Sequence, residues 1–307
     1  MTKQYYSNGK LLITGEYLVL DGAQSLAVPT LFGQSLSIKE TRDSLLTWKS
    51  LDEKGRLWFE NSYELEKLDQ VSNNSISEET MAISSTLKKI LLEAQKLNPS
   101  FLTAAQGYEI TTALNFPREW GLGSSSTLIN NIAQWAQIDA YALLWNSFSG
   151  SGYDIACAQS NSPIIYQLKN NNPMIQLAAF NPTFKNDLYF VYLNQKQNSR
   201  EGIAQYRDKE FNSFSAISQI NSITQRILTC TRLPQFDKLI KKHEAIISEI
   251  LGMPTVKERL FPDYKGAIKS LGAWGGDFIL ATGNKNIPDY FGKKGYDTVI
   301  PYSRMVK

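Results

Sequence analysis

The stretch Trp120-Gly121-Leu122-Gly123-Ser124-Ser125-Ser126-Thr127 decides how this chain is read. Directly behind it, Leu128, Ile129, Ile132, Trp135 and Ala136 recur at i, i+1, i+4, i+7 and i+8, which is one face of a helix. Gly121 and Gly123 leave the backbone uncovered just ahead of that helix. Ser124, Ser125 and Ser126 are residue types that satisfy N–H groups at a helix start. A glycine loop feeding a helix N-terminus offers several N–H donors and the positive end of a dipole to one anion. The expectation is a phosphate cradle. Upstream, residues 108–114 (YEITTAL) alternate as a strand does, and Pro117 breaks the chain before the loop. The Walker pattern GxxxxGK[ST] is absent, so the loop is not an ordinary P-loop.

Composition narrows the remaining classes. The 307 residues suffice for one large domain or two packed ones. Hydrophobic residues make up 42% and charged residues 20%, the balance of a soluble globular protein. Net charge is +3 with no basic run, which speaks against nucleic acid as a partner. Cys157 and Cys230 are too few for a disulfide scaffold or a cysteine zinc site. The start of the chain lacks the apolar core of a signal peptide, and no run reaches the roughly 18 apolar residues of a membrane helix. A soluble, cytoplasmic protein without a membrane partner is expected.

Along the chain, residues 10–14 and 17–20 read as two short strands in a tight hairpin about Gly15-Glu16. Further strands are expected at 26–28, 35–39, 45–48 and 57–59. Ser77-Glu78-Glu79 reads as a helix start, and Ile83, Leu87, Ile90, Leu91, Ala94 and Leu97 supply that helix's apolar face. Asp139 reads as the cap of a short helix bearing Tyr141, Leu144, Trp145 and Phe148. Strands follow at 163–168, 174–179 and 188–193, then helices over 214–227 and 235–251, the second stopped by Gly252-Met253-Pro254. A strand over 278–281 follows the glycine-rich run 270–277. The asparagine turn 170–173 marks the expected boundary between domains 1–172 and 173–307. Without regular βαβ alternation, the mixture points to a two-layer α+β architecture.

Three segments carry candidate chemistry. The first is Asn8-Gly9-Lys10-Leu11-Leu12-Ile13-Thr14-Gly15-Glu16-Tyr17-Leu18-Val19-Leu20-Asp21-Gly22. Taken alone, a lysine opening a strand is a solvated charge. The second is residues 150–156 (GSGYDIA), where Asp154 is by default a turn residue. The third is residues 269–277 (KSLGAWGGD), a glycine-rich turn. His243, the one histidine, falls on an apolar helix face and reads as packed. Ser199-Arg200 is a weak candidate for holding an anionic substrate.

Together with the loop at 117–126, these segments resemble the motifs of the GHMP kinases, the superfamily of galactokinase, homoserine kinase, mevalonate kinase and phosphomevalonate kinase. These segments stand in the family's order and span residues 8 to 277. Gly-Glu-Tyr at 15–17 and Gly-Gly-Asp at 275–277 are closest to the phosphomevalonate kinases. The resemblance implies an N-terminal nucleotide-binding domain and a ferredoxin-like C-terminal domain closing a substrate cleft. It implies ATP-dependent phosphorylation of a small molecule, with phosphomevalonate or mevalonate as leading acceptors. Homoserine kinase, mevalonate-diphosphate decarboxylase and a non-catalytic nucleotide-binding protein are the alternatives.

Carried over residue by residue, the resemblance makes Asp154 the general base and Lys10 the cation stabilising the alkoxide. Gly121, Leu122, Gly123, Ser124, Ser125 and Ser126 would hold the ATP phosphates, and Ser125 would ligate Mg²⁺. Glu16, Tyr17, Gly152, Gly272, Ala273, Gly275, Gly276 and Asp277 would lie toward the substrate. Two departures stand out. Residues 140–153 contain no Asp or Glu, and Leu143 falls near the position of the helix carboxylate of mevalonate kinases. Trp274 replaces a glycine, either walling the substrate pocket or crowding the loop. A homodimer is compatible with the sequence.

Overall fold

The computed structural model describes residues 2–68, 77–103, 106–196 and 199–307; the side chains of Ser199 and Arg200 lie outside this set. The strands are β1 (Thr2–Leu12), β2 (Ser25–Thr41), β3 (Leu45–Leu51), β4 (Leu57–Glu64), β5 (Gly107–Leu114), β6 (Ile164–Lys169), β7 (Asn172–Leu177), β8 (Leu188–Tyr192), β9 (Ile268–Leu271), β10 (Phe278–Thr282) and β11 (Val299–Pro301). The helices are α1 (Glu78–Leu97), α2 (Ser124–Ala136), α3 (Ala140–Ser147), α4 (Tyr153–Gln159), α5 (Ser199–Arg207), α6 (Ser213–Leu228), α7 (Leu233–Leu251), α8 (Val256–Leu260), α9 (Ile287–Gly292) and α10 (Tyr302–Met305).

The chain divides into two compact units that interleave along the sequence. The first holds residues 1–9, 32–118 and 123–159, the second residues 10–31, 119–122 and 160–307. In the first, β3 pairs antiparallel with β4 and parallel with β5, and β5 pairs antiparallel with residues 34–41 of β2. Period-2 alternation turns Leu36, Ile38, Leu46, Trp48, Phe59 and Ile110 to one face of this sheet. Helices α1 to α4 cover that face with Leu87, Ile90, Leu91, Ile129, Ile132, Leu143 and Ile155. Each of these large side chains stabilises the unit by roughly 1.5–3 kcal/mol when fully buried. Ser77 caps α1 by accepting the Thr80 N–H, and Asp139 caps α3 by accepting that of Tyr141, as the sequence leads one to expect.

In the second unit β8 lies between β11 and β10, and β9 closes the far side, all antiparallel. Tyr189, Val191, Ile268, Ile279, Phe261 and Phe291 form a core on this sheet. Gly252 ends α7 in the left-handed region at φ 66°. Asn170 and Asn171, both at positive φ, make the turn of the β6–β7 hairpin, which therefore stays within this unit.

One expectation fails. Residues 17–20 are not the second arm of a hairpin; Leu18–Asp21 form a 3-10 turn. A Cβ on Gly15, at φ 91°, would stand 2.0 Å from the Ser25 hydroxyl, so only glycine fits where the chain bends there. Leu18 and Val19 are 0% and 3% exposed. Their apolar run marks burial, and a run of four is too short to separate a strand from a turn.

Candidate active site

Gly121 and Gly123 take φ 65° and 94°, and Gly123 is the N-cap of α2. Having no side chain, Gly123 makes no capping bond to the N–H groups of the first turn. The Ser126 hydroxyl donates to the Gly123 carbonyl at 2.9 Å and so stiffens the loop, whereas Ser125 is exposed at the helix start. The thirteen-residue helix behind it is held from below by a buried polar network. The Asn131 side chain donates to Gln34 O (2.9 Å) and accepts from the Ser7 hydroxyl (2.7 Å), and Thr127 donates to Gln34 Oε1 (2.8 Å). Uncapped N–H groups, glycines at positive φ and an exposed hydroxyl are the donor set a phosphate chain takes. Among the described residues no group of three or more metal-ligating side chains occurs; Mg²⁺ held mainly by phosphates and waters needs no such group.

In the same unit as α2, Gly152 at φ 88° breaks the chain into α4, its carbonyl accepting from Ile155 and Ala156. Asp154 stands half-buried in the first turn of this helix. Gln159, at the helix's other end, donates to Asn130 of α2 at 2.9 Å, fixing α4 against the loop helix. Leu143 is 0% exposed in the core, so α3 offers no carboxylate at that position.

The second unit brings the other candidates together. Lys10 is 8% exposed on β1; its backbone N–H donates to Leu122 O at 3.0 Å and its ammonium to Gly121 O at 3.1 Å. Far from being a solvated strand lysine, it is tied to the glycine loop. Asp277 presses against that loop too: a Cβ on Gly121 would stand 2.2 Å from Asp277 Oδ2, and one on Gly272 2.7 Å. Beside it Trp120 packs edge-on to Phe278, with ring centroids 5.5 Å apart.

The turn at 272–276 is braced on all sides. Gly272 and Gly275 take φ 77° and 79°, and Gly276 N–H donates to Ala273 O. Gln195 and Arg259 both donate to Gly275 O, at 2.9 and 3.2 Å. Trp274 is 7% exposed; its backbone N–H donates to the Tyr17 hydroxyl at 2.9 Å and its indole to Pro254 O at 3.3 Å. The indole is thus packed against its surroundings and not held out into solvent.

Glu16 is 2% exposed and its Oε1 accepts from Lys269 Nζ at 2.6 Å. Burial raises its pKa to about 7, against the opposing pull of Lys269. His243 is packed, as expected, with Nε2 accepting the Gly15 N–H at 2.9 Å; burial and Lys269 hold it well below its ordinary pKa and therefore neutral. Sequence reasoning passed over Lys269 and Glu244. The missed signal was a lysine inside Ile268–Leu271, a strand buried at every position.

No protein-family model matches the chain, and no curated protein matches its sequence. Solved structures do match. Mevalonate kinase of Methanococcus jannaschii is 15% identical over 98% of this chain and 97% of its own, with a TM-score of 0.68. Galactokinase of Lactococcus lactis, complexed with galactose, is 13% identical over 100% and 93%, with a TM-score of 0.69. Phosphomevalonate kinase of Streptococcus pneumoniae, in complex with phosphomevalonate and AMPPNP, is 16% identical over 95% of each chain, with a TM-score of 0.65. The α+β fold is thus that of the GHMP kinases from end to end, as the motif resemblance implies.

Proposed function

We propose that this chain is an ATP-dependent small-molecule kinase, transferring the γ-phosphoryl group to a hydroxyl or phosphate acceptor, with mevalonate and phosphomevalonate the foremost acceptors. The observation that carries the reading is the hold of Lys10 on the glycine loop. A buried ammonium bonded to Gly121 O stands at the loop that opens into the uncapped N-terminus of α2. Phosphoryl transfer asks a protein for positioning and charge neutralisation more than for covalent chemistry.

ATP supplies the phosphoryl group. Gly121, Leu122, Gly123, Ser124, Ser125 and Ser126 hold its phosphates through backbone N–H groups and the dipole of α2. Lys10 lowers the cost of the alkoxide. Asp154 takes the acceptor's proton as general base. Ser125 and the phosphates would hold Mg²⁺, and Asp277, the carboxylate lying against Gly121, is the further candidate toward substrate or metal. The Gly-Glu-Tyr and Gly-Gly-Asp motifs favour those acceptors over galactose or homoserine.

Asp154→Asn tests the assignment. Turnover should fall at least ~10²-fold, the lower end of what a general base contributes. The Kd for ATP, by calorimetry, should stay within about threefold because the loop is untouched. Full turnover in the variant would remove Asp154 from the chemistry.

A further inference from the structure

Behind the 272–276 turn lie four titratable side chains that the proposed chemistry does not use. Glu16, His243, Glu244 and Lys269 are 2%, 0%, 3% and 0% exposed. They come from three separate segments: the bend at 15–16, helix α7 and strand β9. Lys269 Nζ stands 2.6 Å from Glu16 Oε1, 3.0 Å from Glu244 Oε1 and 2.5 Å from Ser270 O. Glu244 Oε2 accepts the Ser270 N–H at 3.0 Å, and His243 accepts the Gly15 N–H. Burial works against the Lys269 charge, but Glu16 and Glu244 outweigh it and raise its pKa.

Stability alone is a poor reason for such a cluster. Moving charges out of water costs several kcal/mol per ion, and apolar or neutral residues of similar volume often serve as well. What the charges add is direction. We infer that Lys269 is a positioning residue: by holding Glu16 and Glu244 it fixes the bend at 15–17 against the root of the 272–277 turn. The link onward is continuous. Tyr17, next to Glu16 and held at φ 59°, accepts the Trp274 N–H and stacks on Tyr206 with centroids 5.4 Å apart. Asp277 at the end of the turn then bears on Gly121 of the glycine loop. The consequence for nucleotide affinity rests on the kinase reading; the consequence for the turn does not.

The test replaces the cluster by the neutral set Glu16→Gln, Glu244→Gln and Lys269→Met, which keeps its volume. Hydrogen exchange of the peptide covering 272–277 and the Kd for Mg-ATP are measured beside the melting temperature. Positioning predicts a melting temperature within a few degrees of the parent, exchange at least tenfold faster at the Trp274 amide, and a Kd at least tenfold higher. Exchange unchanged within twofold overturns the inference. Should the triple variant not fold, Glu16→Gln alone, which keeps the Lys269–Glu244 pair, carries the test: exchange several-fold faster supports the inference, and parental exchange refutes it. If the parent protein binds no ATP, the kinase reading falls, while exchange still decides the role of Lys269.

Discussion

At the scale of the residue, the side chains split between those legible in the sequence and those given meaning by burial. Lys10 and Asp154 stand out through motifs, because phosphate chemistry would constrain residue type and spacing at once. Glu16 belongs to a plain motif, yet its carboxylate lies in a buried ion cluster that no spacing announces. That burial has a thermodynamic signature. A carboxyl held near pKa 7 in the folded chain and at its ordinary value of 4.5 in the unfolded one contributes stability below pH 4.5 that is lost as the pH rises through about 7. The groups facing it are Lys269 from β9 and His243 and Glu244 from α7. Glu16→Gln removes this titration. Its stability relative to the parent should therefore rise between pH 4.5 and 7.5, by up to about 3 kcal/mol. Denaturation at a series of pH values reads the difference directly, and a difference flat with pH would contradict the assignment.

At the scale of the element, periodicity and caps were reliable and short apolar runs were not. Ser77 and Asp139 as caps, and Gly252 as the stop of α7, follow from the needs of unpaired backbone groups, which local sequence must meet. Leu18–Asp21 became a 3-10 turn because a bend at Gly15 and a core contact settle a choice that four residues leave open. The asparagine turn at 170–171 is a hairpin turn, since left-handed backbone is what such residues supply wherever a chain reverses. What places α2 was invisible for another reason: Ser7, Gln34 and Asn131 are far apart in sequence and polar, so no pattern joins them. Asn131→Ala removes the acceptor of the Ser7 hydroxyl and a donor to the Gln34 carbonyl in a fully buried site, leaving Ser7 only the bond it accepts from Asn130. It should lower stability in chemical denaturation by about 1–3 kcal/mol. A loss below ~0.5 kcal/mol would show that the network does not hold the helix.

At the scale of the whole molecule, the end-to-end match at 13–16% identity shows how little sequence this fold requires. Acceptor choice depends on side chains that a shared backbone leaves free to diverge. The motifs therefore reached the fold, but carried the acceptor only as a leaning toward mevalonate-route substrates. The most direct measurement is ADP release from the purified protein with Mg-ATP, screened against mevalonate, phosphomevalonate, homoserine and galactose. The proposed function predicts acceptor-dependent ADP with mevalonate or phosphomevalonate. ATP bound in calorimetry with no ADP from any of the four acceptors would contradict it.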